Sequence, residues 1–184
     1  NMGWMHDFCE YMKLDPYFRK YNHNKMTFGM TYASSENFIL VLSHDEVVHL
    51  KCSMINKMPG IYEDKFANLK VGYTFMMTHP GKKLLFMGGE FAQYSEWSEA
   101  RSLDWHLLQY ADHQEMQAYV KELNHLYTEE PAFWAEDFDP NGFQWIECDD
   151  AESSIVSFVR RSREKELVFL CNFTPVVHRG FSLG

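Results

Sequence analysis

The chain has 184 residues, with 17 Lys and Arg against 26 Asp and Glu and a formal net charge of −9. That length suits one domain, or one and part of a second, and 46% hydrophobic with 23% charged residues excludes a disordered or fibrous chain. The acidic balance argues against a nucleic-acid partner, which needs a clustered basic face, and no apolar run reaches the ~18 residues of a membrane span.

In chain order, Trp4, Phe8 and Tyr11 recur at helical spacing until Asp15-Pro16 interrupts them. Residues 24–36 are predicted to form a second helix. Phe38-Ile39-Leu40-Val41-Leu42 is a continuous apolar run, as in a strand buried on both faces. Phe66, Leu69, Tyr73, Met76 and Met77 line one face of a helix over about 64–79, stopped by Pro80-Gly81. Leu84-Leu85-Phe86-Met87 is a second buried run that ends in Gly88-Gly89. Strand, helix, strand makes a βαβ unit, and hence an α/β sheet or barrel.

Met116, Tyr119, Val120, Leu123 and Tyr127 place a helix over about 113–128, with Asp112 and Glu115 spaced as a capping box. Past Pro131 the pattern changes. Asp139-Pro140-Asn141-Gly142 is a turn before the strand Phe143–Ile146, and Ser154–Val159 with Leu167–Phe173 reads as a hairpin. Strands without intervening helices form an antiparallel unit, so a boundary falls near 137. The four cysteines, Cys9, Cys52, Cys148 and Cys171, form no C-x-x-C pair and read as small buried hydrophobes in a reducing compartment. Asn1 is not an initiator Met and Gly184 follows strand-like sequence, so both ends look cut.

The densest polar cluster, Ser43-His44-Asp45-Glu46-Val47-Val48-His49, follows the first buried run, and Glu90 follows the second. In parallel α/β folds chemistry collects at strand C-termini, so Asp45 and Glu90 are predicted to line one acidic cleft. The alternative is that both are caps or solvated loop residues. A metal site is disfavoured. His44 and His49 are five apart and diverge by about 140° on a helix. The Glu46…His49 and Glu122…His125 pairs have di-iron spacing, but the second points to solvent and the first follows a strand. No nucleophile elbow, Gly-rich nucleotide loop or activated Cys occurs, so no cofactor is indicated.

Several motifs go beyond pattern. Asn1-Met2-Gly3-Trp4-Met5-His6-Asp7, Leu42-Ser43-His44-Asp45-Glu46-Val47-Val48-His49, Lys57-Met58-Pro59-Gly60, Lys83-Leu84-Leu85-Phe86-Met87-Gly88-Gly89-Glu90-Phe91 and Ser102-Leu103-Asp104-Trp105-His106 stand in this order. Together they resemble the bacterial-type glycogen branching enzymes of the α-amylase superfamily, and the resemblance covers essentially the whole chain.

The resemblance implies an α/β fold: the C-terminal part of a (β/α)8 TIM barrel, then the start of an all-β antiparallel sandwich. Residues 1–137 would belong to the catalytic barrel, with strands seven and eight near 38–43 and 83–88. Residues 138–184 would begin the β-sandwich, in keeping with Cys171-Asn172-Phe173-Thr174-Pro175. By the same resemblance Asp45 is a catalytic carboxylate that stabilises the transition state. His44 bonds sugar hydroxyls, and Trp4 joins it in binding substrate.

The implied partner is an α-glucan such as glycogen or amylose, without cofactor, metal, nucleic acid or membrane, in the cytoplasm. The implied activity is cleavage of an α-1,4 glucan and transfer of the segment to a 6-hydroxyl. The family's nucleophile and acid/base lie upstream of the motif at Asn1, so the chain alone is expected to be inactive and to self-associate. Leu50, Cys52 and Ile61 depart from the family's usual Gly, small or basic residue, and Asp. Two other readings remain: a noncatalytic glucan-binding or interaction module, or part of another α-amylase-superfamily hydrolase.

Overall fold

A computed structural model describes residues 1–183. Helix α1 spans Met2–Lys13, where the Asn1 side chain accepts a hydrogen bond from the Trp4 N–H at 3.0 Å. That cap satisfies one of the helix's free N-terminal donors. The buried face of α1 is Trp4, Met5, Phe8, Cys9, Tyr11 and Met12. Asp15 then caps the short helix α2, Pro16–Arg19, with Pro16 at its first turn.

The helix expected over 24–36 is not continuous. Helix α3 covers Asn24–Thr27 and passes into a 3-10 turn over Phe28–Thr31. Thr27, Gly29 and Thr31 are weak helix formers, and the Thr31 hydroxyl closes the turn on the Phe28 carbonyl at 2.7 Å.

Strand β1, Ile39–Leu42, pairs in parallel with β2, Lys82–Leu85, in the register Ile39↔Lys82 to Leu42↔Leu85. Helix α4, Met54–Lys57, and helix α5, Tyr62–Thr78, lie between them in the chain. β1 is buried on one face only, through Leu40 and Leu42, while Ile39 is 47% exposed. This corrects the expectation of burial on both faces. Among the described residues the pair is two-stranded, with its core layer on one side.

The apolar face of α5 is the one the spacing predicts: Phe66, Leu69, Tyr73, Met76 and Met77 are all buried. The Asp64 carboxylate accepts from the Ile61 N–H at 3.2 Å, which starts the helix two residues earlier than expected. Gly72 lets α1 approach, because a Cβ there would lie 3.1 Å from Phe8 and Met12 side-chain carbons.

Helix α6, Ala111–Glu129, buries His113, Met116, Val120 and Leu123. Its expected capping box is absent. The helix begins at Ala111, so Asp112 sits in the first turn and faces the helix dipole instead of capping it.

Strands β3 (Phe143–Glu147), β4 (Ile155–Arg161) and β5 (Glu166–Asn172) form an antiparallel sheet in sequence order, with an irregularity at Trp145/Glu147. Its inner face packs on α1 and α5, with Phe75 at 6.2 Å from Phe158 and 5.7 Å from Phe173, and Tyr11 at 5.4 Å from Phe173. One apolar cluster therefore runs from Trp4 to Phe173.

Two buried guanidinium groups bridge the sheet and the helices. Arg160 donates to the carbonyls of Thr78 (2.7 Å), Phe133 (2.9 Å) and Gly142 (3.3 Å), and to Asp137 Oδ1 (2.8 Å). Arg19 donates to the carbonyls of Met12 and Phe173. Burial by itself would raise the Asp137 carboxyl, but Lys83, Arg160 and Lys82 hold it below its usual range.

His79, just past α5, is 1% exposed and lies among Trp4, Phe75 and Phe143. Its Nδ1 is 2.9 Å from the Pro80 carbonyl, which can only accept, so Nδ1 carries the hydrogen. Burial pushes its pKa down to about 3 from an ordinary 6.5. Between those values the unfolded chain binds the proton and the folded chain does not, so stability falls as pH drops below about 6.5. At pH 4.5 His79 alone is expected to remove about 2–3 kcal/mol. Urea unfolding at pH 7 and 4.5 checks this: His79→Phe should lose that much less than the parent chain. Equal losses in the two would clear His79 as the cause.

Candidate functional site

Beyond Leu42, Ser43 stays extended and His44–Glu46 turns as a 3-10 segment. The turn sorts its three side chains. His44 and Asp45 face solvent, with side chains 56% and 50% exposed, while Glu46 turns inward. The Ser43 hydroxyl donates to Asp45 Oδ2 at 3.1 Å, and His44 Nε2 lies 3.5 Å from Asp45 Oδ1. The His44 ring sits 5.8 Å from Phe86, which meets Trp97 edge-on at 5.3 Å.

The parallel ladder carries on past β2, as the Phe86 N–H donates to the Leu42 carbonyl at 3.0 Å. The end of β1 and the end of β2 thus stand side by side. They close over a cavity of ≈ 20 Å³ lined by Leu42, Val47, Phe86, Gly88 and Trp97, among others. Gly88 has φ +89°, a conformation that costs glycine little.

Glu90 does not join Asp45. Its carboxylate folds back to accept the Gly88 N–H at 2.8 Å, and it borders a surface hollow with Lys121, Asn124 and His125 of α6. The acidic cleft expected from Asp45 and Glu90 together is therefore corrected to one exposed carboxylate beside a histidine. Glu90 stabilises the tight turn after β2. Glu122 and His125 are both exposed on α6. Among the described residues no group of three or more His, Cys, Asp or Glu is placed to hold a metal ion. None of the described helices is long and apolar enough to cross a membrane.

Trp4 lies apart from this surface. It is 3% exposed, stacks on Phe8 at 5.0 Å and borders His79 at 6.0 Å. Its place on the buried stripe of α1 gives it a packing role in this structure, and no open ring face meets His44.

The loop after the turn contains residues that spacing did not reveal. His49, Leu50 and Cys52 all have positive φ, at 55°, 66° and 67°. The Glu96 carboxylate accepts from the Leu50 N–H at 3.1 Å and the Cys52 N–H at 2.7 Å, and Trp97 N–H donates to the Val47 carbonyl at 3.0 Å. Nothing in the period or composition near Glu96 marks it as the clamp, because its partners are backbone groups.

Cys52 is exposed, which corrects its reading as a buried hydrophobe. Cys9 and Cys171 are buried, and burial pushes both thiols up to about 12. Leu50 is 94% exposed, so its side chain has little packing to lose. Left-handed backbone costs a non-glycine residue about 1–2 kcal/mol, partly offset by the entropy glycine adds to the unfolded chain. Leu50→Gly is therefore expected to stabilise by about 0.5–1 kcal/mol. A shift of the denaturation midpoint to lower urea would count against that backbone.

Residues 145–184 match the family described as "Alpha amylase, C-terminal all-beta domain". All 184 residues are 56% identical to the protein named 1,4-alpha-glucan branching enzyme GlgB of Cellvibrio japonicus, of which they cover 25%. The like-named proteins of Butyrivibrio fibrisolvens and Gloeobacter violaceus are 57% and 54% identical over 100% of this chain, which covers 29% and 25% of them. The chain spans about a quarter of the length of these curated relatives.

Proposed function

As the chain belongs to the 1,4-alpha-glucan branching enzyme family, we propose that it works as one segment of an enzyme of that activity. In this reading the enzyme cleaves an α-1,4 glucan, holds the fragment covalently, and transfers it to a 6-hydroxyl in a cytoplasmic pathway of glycogen synthesis. β1 and β2 act as the seventh and eighth strands of a (β/α)8 barrel within residues 1–137. Residues 138–184 begin the β-sandwich.

The observation that carries the reading is the exposed His44-Asp45 pair at the C-terminal end of β1, beside a parallel neighbour. Retaining glycosyl transfer needs one carboxylate as nucleophile and one as acid/base, around an oxocarbenium-like transition state. Asp45 supplies neither of these two. Its role is a third carboxylate that grips ring hydroxyls and offsets the developing positive charge. His44, held 3.5 Å from Asp45, donates to a neighbouring sugar hydroxyl. The nucleophile and the acid come from the part of the enzyme that precedes this segment in the family.

The test is to incubate the purified 184-residue chain with amylose, debranch the product and profile chain lengths. No new branches are expected from the chain alone, and branching is expected from the complete enzyme. Branches made by the chain alone would overturn this division of labour. The outer edge of β1, which among the described residues meets the Asn1 ammonium at 2.7 Å from the Ile39 carbonyl and no further strand, makes self-association of the isolated chain part of the same proposal.

A further inference from the structure

The third residue of the turn, Glu46, has no part in the chemistry above, yet it is the most enclosed carboxylate beside it. Glu46 is 4% exposed. Its Oε2 lies 3.4 Å from Lys57 Nζ, and its Oε1 lies 3.3 Å from Lys51 Nζ and 3.7 Å from His6 Nδ1. The Lys57 side chain is itself 1% exposed, and its ammonium also donates to the Lys51 carbonyl. One carboxylate thus ties together the turn at the end of β1, helix α1 through His6, the left-handed loop through Lys51, and helix α4 through Lys57.

Stability alone is a weak reason for this arrangement. Burying a carboxylate and an ammonium costs several kcal/mol of hydration, and an apolar pair of the same volume is commonly as stable or more so. Burial pulls the Lys57 ammonium below lysine's ordinary value despite the attraction of Glu46, which is that cost made visible. What the ion pair supplies, and a greasy contact does not, is a direction. Residues 45 and 46 are neighbours in one short turn, one side chain outward and the other inward. Fixing the Glu46 carboxylate at three points therefore fixes the bond along which Asp45 projects. Among the described residues, the Asp45 carboxylate has only the Ser43 hydroxyl and the His44 ring to steady it from outside.

We propose that Glu46, held by Lys57, is the positioning residue that aims Asp45 at the glucan. This rests on the reading of Asp45 given above. A displacement of about 1 Å at a reacting group can cost up to 10²-fold in rate, so the pair matters to turnover more than to affinity.

The experiment uses the complete enzyme, with Glu46→Gln, Glu46→Asp, Asp45→Asn and the double variant Glu46→Gln/Asp45→Asn. Branching of amylose is measured at a temperature where circular dichroism shows each variant folded. Glu46→Gln is expected to lower kcat by about 10–100-fold while KM stays within about threefold, the signature of an interaction felt in the transition state. In the Asp45→Asn background the same change should have little further effect on kcat, because there is no charge left to aim.

Glu46→Asp keeps the charge and shortens the reach by one methylene. It serves where Glu46→Gln does not fold, with an expected drop of about tenfold in kcat. A folded Glu46→Gln or Glu46→Asp enzyme with the parent's kcat would overturn the inference. So would a loss in the double variant equal to the product of the two single losses. If Asp45→Asn itself leaves kcat unchanged, it is the role of Asp45 that fails, and the two failures are told apart by that one variant.

Discussion

Replacing Asp45 by asparagine in the complete enzyme is expected to lower kcat by about 10²–10³, the scale on which one electrostatic contact to a transition state is lost. The change keeps the shape of the side chain and its bond from the Ser43 hydroxyl, and it removes only the charge. The fold should be unaffected, because the Asp45 side chain is half exposed and touches no buried partner. KM should move far less than kcat, since the oxocarbenium charge exists only in the transition state. Initial rates of branching over a range of amylose concentrations, with circular dichroism of both proteins, decide it. An unchanged kcat, or a variant that does not fold, would remove Asp45 from the proposed role.

The second large effect is structural. Arg160→Met is expected to destabilise the chain by about 3–5 kcal/mol, the usual result of removing one partner from a buried ion pair. Methionine fills much of the volume, but it leaves the carbonyls of Thr78, Phe133 and Gly142 without their donor. It also strips Asp137 of its buried guanidinium, leaving the Gly81 N–H at 3.1 Å on Oδ1 and the half-exposed Lys82 ammonium at 3.0 Å from Oδ2. Adding Asp137→Leu to the variant should recover part of the loss, because the stranded carboxylate goes with it. Urea denaturation of the three proteins measures both steps. A loss below about 1 kcal/mol for Arg160→Met would show that solvent reaches the pair.

The parts of the fold set by long apolar periods were legible in the sequence. The stripe on α5 follows from the helical repeat and appears where that repeat puts it, and the hairpin of β4 and β5 appears where the two β-rich runs put it. The boundaries that failed were decided by single side chains. Asp64 pulls the start of α5 to Tyr62, and Thr27 and Gly29 break the 24–36 segment into short turns. The site divides in the same way. The place of His44-Asp45 at the end of β1 could be read from strand position, but the opposite fates of Asp45, Glu46 and Glu90 could not. Which of three nearby carboxylates faces water depends on which ammonium and backbone N–H groups reach it: Lys57 and Lys51 for Glu46, and the Gly88 N–H of its own turn for Glu90. Glu96 is the extreme case, since its two partners, the Leu50 and Cys52 N–H groups, carry no side-chain signature.

The bond from Arg19 to the Phe173 carbonyl closes a loop of 154 residues, and that span sets an order of events during synthesis. A ribosome adding ~5–20 residues per second needs roughly eight to thirty seconds to pass from one to the other. α1 is made before that interval and α5 early within it, yet until its end the aromatic face they share with Phe158 and Phe173 is incomplete. Contacts of such long separation also slow the search for the native state once the chain is free. The nascent polypeptide is thus open to chaperone capture or aggregation at this face until β5 is made, and the arrival of that strand is the step that ends the exposure of α1.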